Sequence, residues 1–256
     1  MWAFNSFLRG TSFMKSRTQW MLCSLSFALA ASPALAQDGE DTDSGYSDDS
    51  GESSEGGGFA LGLRAGLGIP FGKFTSEESA SASNKVSDTF SAAIPLQVEA
   101  GYFFNPNIYV GAYFQYGILS LKDDCPDQVD CSASQLRFGA NVAYHFQATP
   151  KIDPWVGLGI GYEIASQTTS ATVGNTDVEA TASVKGLEFV SAQGGLDFRI
   201  TPAFSVGPYL TYTLGQYSTV SISGESGGNE RDESEDIEEK AMHSWVYGGV
   251  RMQMRF

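Results

Sequence analysis

From Phe59 onward the chain alternates between apolar and polar positions with a period of two, and almost nowhere with the period of a helix. That period predicts strands. Eight runs carry it: 59–69, 92–104, 108–121, 133–146, 155–168, 185–200, 204–220 and 242–256. The last, "VYGGVRMQMRF", shows the pattern most plainly. Val246, Val250, Met252, Met254 and Phe256 share one parity, and Tyr247, Arg251, Gln253 and Arg255 share the other. In the second run Ile94, Leu96, Val98, Ala100, Tyr102 and Phe104 lie on one face. In the sixth, Val190, Leu196, Phe198 and Ile200 do. The opposite faces hold Gly, Ser, Thr, Gln and ions.

The connections are of two kinds. Three are short and contain Pro, at 105–107, 147–154 and 201–203. Four are long and polar, at 70–91, 122–132, 169–184 and 221–241. Short and long take turns, which predicts an antiparallel meander with tight turns at one end and long loops at the other. Eight such strands can close as a soluble barrel with apolar residues inside, or as a membrane barrel with apolar residues outside.

Three features favour the membrane arrangement. The polar face is rich in Gly, including Gly62, Gly101, Gly111, Gly159 and Gly161. Gly weakens a water-facing strand without gain, whereas a narrow eight-stranded lumen has little room. The apolar face is aromatic at the short-turn end, with Phe59, Tyr102, Phe104, Tyr144, Phe146, Phe198, Phe204 and Phe256, as in the girdle of a membrane interface. Tyr116, Tyr162 and Tyr212 stand one tilted crossing away and suit a second girdle. The third feature is a leader. Lys15 and Arg17 precede the apolar stretch "WMLCSLSFALAA", and "SPALA" ends on the small-x-small site Ala34-Leu35-Ala36, the pattern of a secretory signal peptide over residues 1–36. Residues 1–13 do not fit that pattern, which points to Met14 as the true start. The apolar stretch is too short to span a bilayer as a helix.

Composition adds two points. Acidic residues outnumber basic ones 30 to 15, which argues against a nucleic-acid partner. Residues 37–58 hold eight acids and no base, and are expected to form a disordered acidic linker. The domain plan is therefore a leader (1–36), a linker (37–58) and a barrel (59–256).

With these eight amphipathic runs, short turns, long loops and the terminal "VRMQMRF", residues 59–256 resemble the small eight-stranded outer-membrane barrels of Gram-negative bacteria. These include the transmembrane domain of outer membrane protein A and its single-domain relatives. The resemblance implies an all-β, eight-stranded antiparallel up-and-down transmembrane β-barrel in the outer membrane, without cofactor and as a monomer. Its partners would be outer-membrane lipid, lipopolysaccharide and the assembly machinery. In that family the final strand is read during insertion, which gives Val250, Met252, Met254 and Phe256 the role of an assembly signal. Nothing follows Phe256 here, so the peptidoglycan-binding domain of some relatives is not expected.

Four constellations could carry chemistry. The inward faces bring Arg64, Glu99, Arg137, Glu163, Asp197, Arg199, Arg251 and Arg255 into the lumen. Unpaired, such ions are costly, so they are expected to pair, with an Arg64–Glu99–Arg251 cluster near mid-membrane. A plug and a narrow gated pore are both compatible with that inventory. Cys125 and Cys131, flanking five residues in "CPDQVDC", are expected to form a disulfide in an oxidising compartment. Of the two histidines, His145 is expected in the lumen at the periplasmic end. His243 is expected at the outer rim, with Ser244 on the opposite face of its strand, which does not suit a hydrolase triad. The segment 225–240 holds eight acids against Arg231 and Lys240, a solvated loop or a surface site for divalent cations. The functions that follow are a non-enzymatic envelope-structural or surface-interaction role, a narrow channel, and, third, a lipid-modifying enzyme.

Overall fold

The computed structural model describes residues 57–75, 85–122, 125, 129–147, 149–173, 176–226 and 229–256. The expected leader (1–36) and all but the last two residues of the expected linker (37–58) lie outside the described residues. The elements are β1 (Gly58–Gly72), a single helical turn α1 (Val86–Thr89), β2 (Phe90–Phe103), β3 (Ile108–Leu121), β4 (Val129–His145), β5 (Ile152–Val173), β6 (Thr176–Arg199), β7 (Phe204–Ser226), β8 (Asn229–Asp236) and β9 (Met242–Arg255).

Each strand from β1 to β7 pairs antiparallel with the next, β7 pairs with β9, and β9 pairs with β1. Eight strands thus close a ring, with no open edge in the wall. The closing seam runs from Ala60 opposite Arg255 to Gly72 opposite His243. The last residue is tied in as well: the Phe256 N–H donates to Phe59 O at 2.8 Å.

Side-chain alternation sorts the chain as a membrane wall requires. Leu61, Leu63, Leu67, Ile69, Leu96, Ile118, Leu158, Ile160 and Leu210 all point outward and are exposed. The buried set is the polar one, joined by a group of aromatic rings. Phe59, Phe104, Phe146 and Phe256 ring the short-turn end and are more than half exposed. Phe59, Tyr102 and Phe104 meet edge to face at 5.2 and 5.4 Å, as do Tyr144 and Phe146 at 5.1 Å, the arrangement aromatic quadrupoles favour. Tyr144, Phe198 and, half-buried, Phe204 complete the belt. At the other end Tyr116 and Tyr212 are exposed and Tyr162 is half-buried.

The three short connections are held by side-chain caps. Asn105 Oδ1 accepts from the N–H of Asn107 and of Ile108, both at 2.9 Å. Thr149 Oγ1 accepts from Ile152 N–H at 2.9 Å, and Thr201 Oγ1 from Phe204 N–H at 3.0 Å. These are the local bonds by which Asn and Thr favour turns.

Two of the four long loops prove to be largely strand. β5 and β6 run on as a hairpin through 169–184 and leave only residues 174–175 between them. Within 221–241, β7 continues and is joined by β8. The polar composition suggests loop, but "TTSATV" and "VEATASV" are rich in β-branched residues, which suit a pleated surface. Cross-strand hydroxyls tie the extension together: Ser166 to Ser183 at 2.9 Å, Thr168 to Thr181 at 2.9 Å and Ser221 to Ser234 at 3.1 Å. The acidic 225–240 segment is therefore mostly the β7–β8 hairpin, with Arg231–Asp236 exposed on its outermost strand.

Candidate functional site

The interior of the ring is where the sequence concentrates its ions, and it is filled. Arg64 reaches Glu99 through two parallel bonds, Nε to Oε1 at 2.6 Å and Nη2 to Oε2 at 2.9 Å. This is the bidentate geometry that makes arginine–carboxylate pairs strong. Its Nη1 donates to Gln193 Oε1 at 2.6 Å. Arg251 bridges two acids, with Nε 3.3 Å from Glu99 and Nη1 2.8 Å from Asp197. The structure thus brings Arg64, Glu99 and Arg251 together, and adds Asp197 and Trp155. The Trp155 indole N–H donates to Asp197 at 3.3 Å, and both guanidiniums lie over its ring, at 5.1 and 4.5 Å.

A second cluster lies nearer the long-loop end. Arg137 donates through Nε and Nη2 to Glu188 Oε2, at 2.9 and 2.5 Å, and through Nη1 to Gln115 at 2.9 Å. Tyr113 donates to the other Glu188 oxygen at 3.1 Å. Glu163 forms a third cluster. Its Oε1 accepts from Gln135 at 2.9 Å, from Tyr217 at 2.5 Å and from the Trp245 indole at 3.1 Å. Its Oε2 lies 3.3 Å from His243 Nε2. A fourth sits at the short-turn mouth, where Asp153 takes His145 at 3.0 Å and Arg199 and Arg255 at 3.2 Å each.

Among the described residues the inward faces of the ring therefore set five arginines against five carboxylates. Strict parity names only three of the acids: Glu99, Glu163 and Asp197. Glu188 escapes it because β6 carries a bulge between Glu188 and Val190. Parity puts Glu188 on the same side as Val190, facing outward. The extra residue, Phe189, reverses the alternation, so that Phe189 and Val190 both face outward while Glu188 and Ser191 face in. "Leu-Glu-Phe-Val" holds the signal: one charge alternating with two large apolar residues, then a break in phase. Asp153 falls in the stretch 147–154, which reads as a turn but is strand from Ile152.

His243 also departs from expectation. It is not at an open rim but buried, stacked flat on Tyr217 with ring centroids 3.8 Å apart. Above it the lumen is covered by apolar groups from the first long loop. Phe74 stacks on Tyr217 at 5.8 Å and meets Phe90 at 6.3 Å, and Val86 is fully buried beside them. At the opposite mouth a cavity of about 500 Å³ is open, lined by Phe103, Arg199, Phe204, Arg255 and Phe256 among others.

The inward glycines have a packing reason. Tyr109 lies across Gly101 and Gly111, and Tyr113 across Gly139 and Gly161. A Cβ at Gly161 would stand 2.3 Å from the Tyr113 hydroxyl. The rings that fill the lumen, with Trp155, Trp245, Tyr209 and Tyr247, fit because the wall beside them is bare backbone. Outside the wall, Cys125 and Cys131 are joined in the second long loop, with Cα atoms 6.2 Å apart.

Comparison with known proteins supplies the setting. No curated protein matches the chain. Among solved structures, a major outer membrane protein from Thermus thermophilus is 13% identical, with 78% of this chain and 99% of that one covered and a TM-score of 0.55. OprG from Pseudomonas aeruginosa is 15% identical over 79% and 99%, with a TM-score of 0.42. Neisserial surface protein A is 13% identical over 78% and 99%, with a TM-score of 0.40. At this identity the first likeness concerns fold alone. The family model for an outer membrane protein beta-barrel domain matches residues 22–232. With the outward apolar wall and its aromatic belt, that match locates the protein in the bacterial outer membrane. The chain belongs to the outer membrane protein beta-barrel domain family.

Proposed function

We propose that the protein is a non-enzymatic outer-membrane barrel with a closed lumen, and that its working surface is the part that projects beyond the outer leaflet. The observation that carries this reading is the pairing of the lumenal ions. From mouth to mouth each arginine of the ring is bonded to a carboxylate. A passing ion would have to displace contacts whose loss leaves a buried charge uncompensated. The Phe74–Tyr217–Phe90 cover over the Glu163 cluster supports the same reading. The projecting surface is built of β5, β6, β7 and β8, braced by cross-strand hydroxyl pairs and by the Cys125–Cys131 bridge. Each histidine is held by a carboxylate, His145 by Asp153 and His243 by Glu163, but its second ring nitrogen, Nε2 of His145 and Nδ1 of His243, is buried with no hydrogen-bond partner among the described residues, so no nucleophile stands at either base.

The second reading, a narrow gated channel for ions or small solutes, draws on the open cavity at the periplasmic mouth. Solute uptake by liposomes carrying the folded protein separates the two. The closed-lumen reading expects swelling no faster than in protein-free liposomes. Swelling in small sugars or amino acids at a rate that scales with protein content would establish the channel instead.

A further inference from the structure

The five arginines of the lumen differ in how many of their donors are used. Arg64 and Arg137 each donate through all three guanidinium nitrogens, and Arg251 through two. All three are buried. Arg199 and Arg255, at the short-turn mouth, are a quarter exposed. Each reaches one and the same oxygen, Asp153 Oδ2, at 3.2 Å through Nη2. The further polar contact of this pair is from Arg255 Nη2 to His145 Nδ1, at 3.3 Å. Nε and Nη1 of both arginines have no hydrogen-bond partner among the described residues.

Asp153 is itself heavily used. Its Oδ2 also takes His145 at 3.0 Å, and its Oδ1 accepts from the Gln147 N–H at 3.1 Å. Two guanidiniums thus share one carboxylate that is bonded elsewhere. Lys151, exposed in the adjoining turn, adds a third cation, and its carbonyl accepts from the Arg199 N–H at 2.9 Å. The main-chain carboxylate of Phe256 lies on the same rim and, among the described residues, pairs with neither arginine. Both arginines line the open cavity of about 500 Å³, a volume in the range of small-ligand sites. The Arg255 guanidinium lies over the Phe103 ring, 3.7 Å from its centroid, which fixes the plane of the fork. An arginine fork with free N–H groups matches a carboxylate through paired hydrogen bonds.

Carboxylates also stand close by in the sequence. Gly57 and Gly58 line this cavity. The expected linker that ends on them holds eight acids and no base, with Glu55 and Glu52 two and five residues ahead of Gly57.

We propose that Arg199 and Arg255 form a carboxylate-binding site at the periplasmic mouth, with the bound group taken up by the N–H donors that Asp153 leaves free. The chemistry is the same for a carboxylate of the chain's own acidic stretch and for one carried by a periplasmic molecule, and the experiment separates these sources. The site goes beyond the outer-surface reading and does not depend on it, because binding at this mouth and conduction through the lumen are measured separately.

The test uses the full chain folded in phosphatidylcholine nanodiscs, as wild type and with the eight acids of 37–58 replaced by their amides. The probe is the peptide "YSDDSGESSEG", residues 46–56, blocked at both ends, carrying an uncharged fluorophore and followed by fluorescence anisotropy. The amide variant should bind it. Arg199→Gln or Arg255→Gln in that background should weaken binding about tenfold, while Lys122→Gln, at the opposite end, should leave it unchanged. Each single arginine variant keeps the other arginine on Asp153 and should fold. A thermal cycle then names the source. If the group comes from the chain itself, the amide substitutions lower the unfolding temperature of wild type but not of Arg199→Gln/Arg255→Gln. Additive effects assign the group to a separate molecule. No binding of the peptide by the amide variant, or undiminished binding by the folded arginine variants, would overturn the proposal.

Discussion

At the scale of single residues the lumen makes the firmest demands. Glu188 is buried and takes two bonds from Arg137 and one from Tyr113. Glu188→Ala should destabilise the folded barrel by about 3–5 kcal/mol, because Arg137 is left charged, buried and unpaired. Replacing both partners by apolar residues of similar volume should cost less than removing Glu188 alone. Urea unfolding in lipid vesicles, followed by tryptophan fluorescence, measures both. Gly161→Ala makes the complementary test from the wall. Its Cβ would meet the Tyr113 hydroxyl and the Phe138 carbonyl, so the heat-modifiable gel shift should move to lower temperature, whereas no change would mean that Tyr113 has room to move. Which residues would be inward was legible in the alternation for Arg64, Glu99, Arg137, Glu163 and Arg251. Glu188 was not legible from strict alternation, because a bulge shifts the phase there, and only the break in phase at Leu-Glu-Phe-Val marks it. The buried aromatic rings were not legible either. Alternation tells which side a ring is on, but not that the glycines opposite make a socket for it.

At the scale of elements, β9 and the outer hairpins separate two kinds of role. Phe256 is largely exposed, and its backbone N–H bond to Phe59 is one of many along the seam. Deleting Phe256 should therefore lower the yield of assembled protein in the outer membrane several-fold. The unfolding midpoint of the refolded variant should shift little, because one exposed ring and one bond contribute on the order of 1 kcal/mol. Pulse-labelled assembly compared with in vitro unfolding tests this, and equal loss in both would contradict it. The extended hairpins form the surface proposed above as the working one, and their strand character was the largest departure from what the sequence pattern predicts. Ser and Thr look like loop by polarity and like strand by shape. In a hairpin braced by cross-strand hydroxyl pairs, shape prevails. Proteinase added to intact cells should therefore cut where the pairing ends, around 173–176 and 226–229, rather than within the paired stretches.

At the scale of the molecule, one inversion explains both sides of the wall. A barrel in lipid turns its apolar residues out, so its core must be built from what remains: ions, amides, rings and glycine. The Arg–carboxylate pairs, the rings over glycine and the Phe74 cover belong to one solution for a narrow lumen that must be filled without unpaired charge. The ring of eight strands was legible from alternation and loop lengths, whereas which face meets lipid took three further signs: the glycine-rich polar face, the aromatic belt and the leader pattern. The identity of what meets the outer surface was not legible, since loops follow their partners rather than the barrel. Single-channel recording from the folded protein in a planar bilayer tests the closed lumen most directly. The account predicts no conductance steps above the bilayer background at either polarity. Reproducible unitary steps from wild-type protein, abolished when the protein is heat-unfolded, would contradict it.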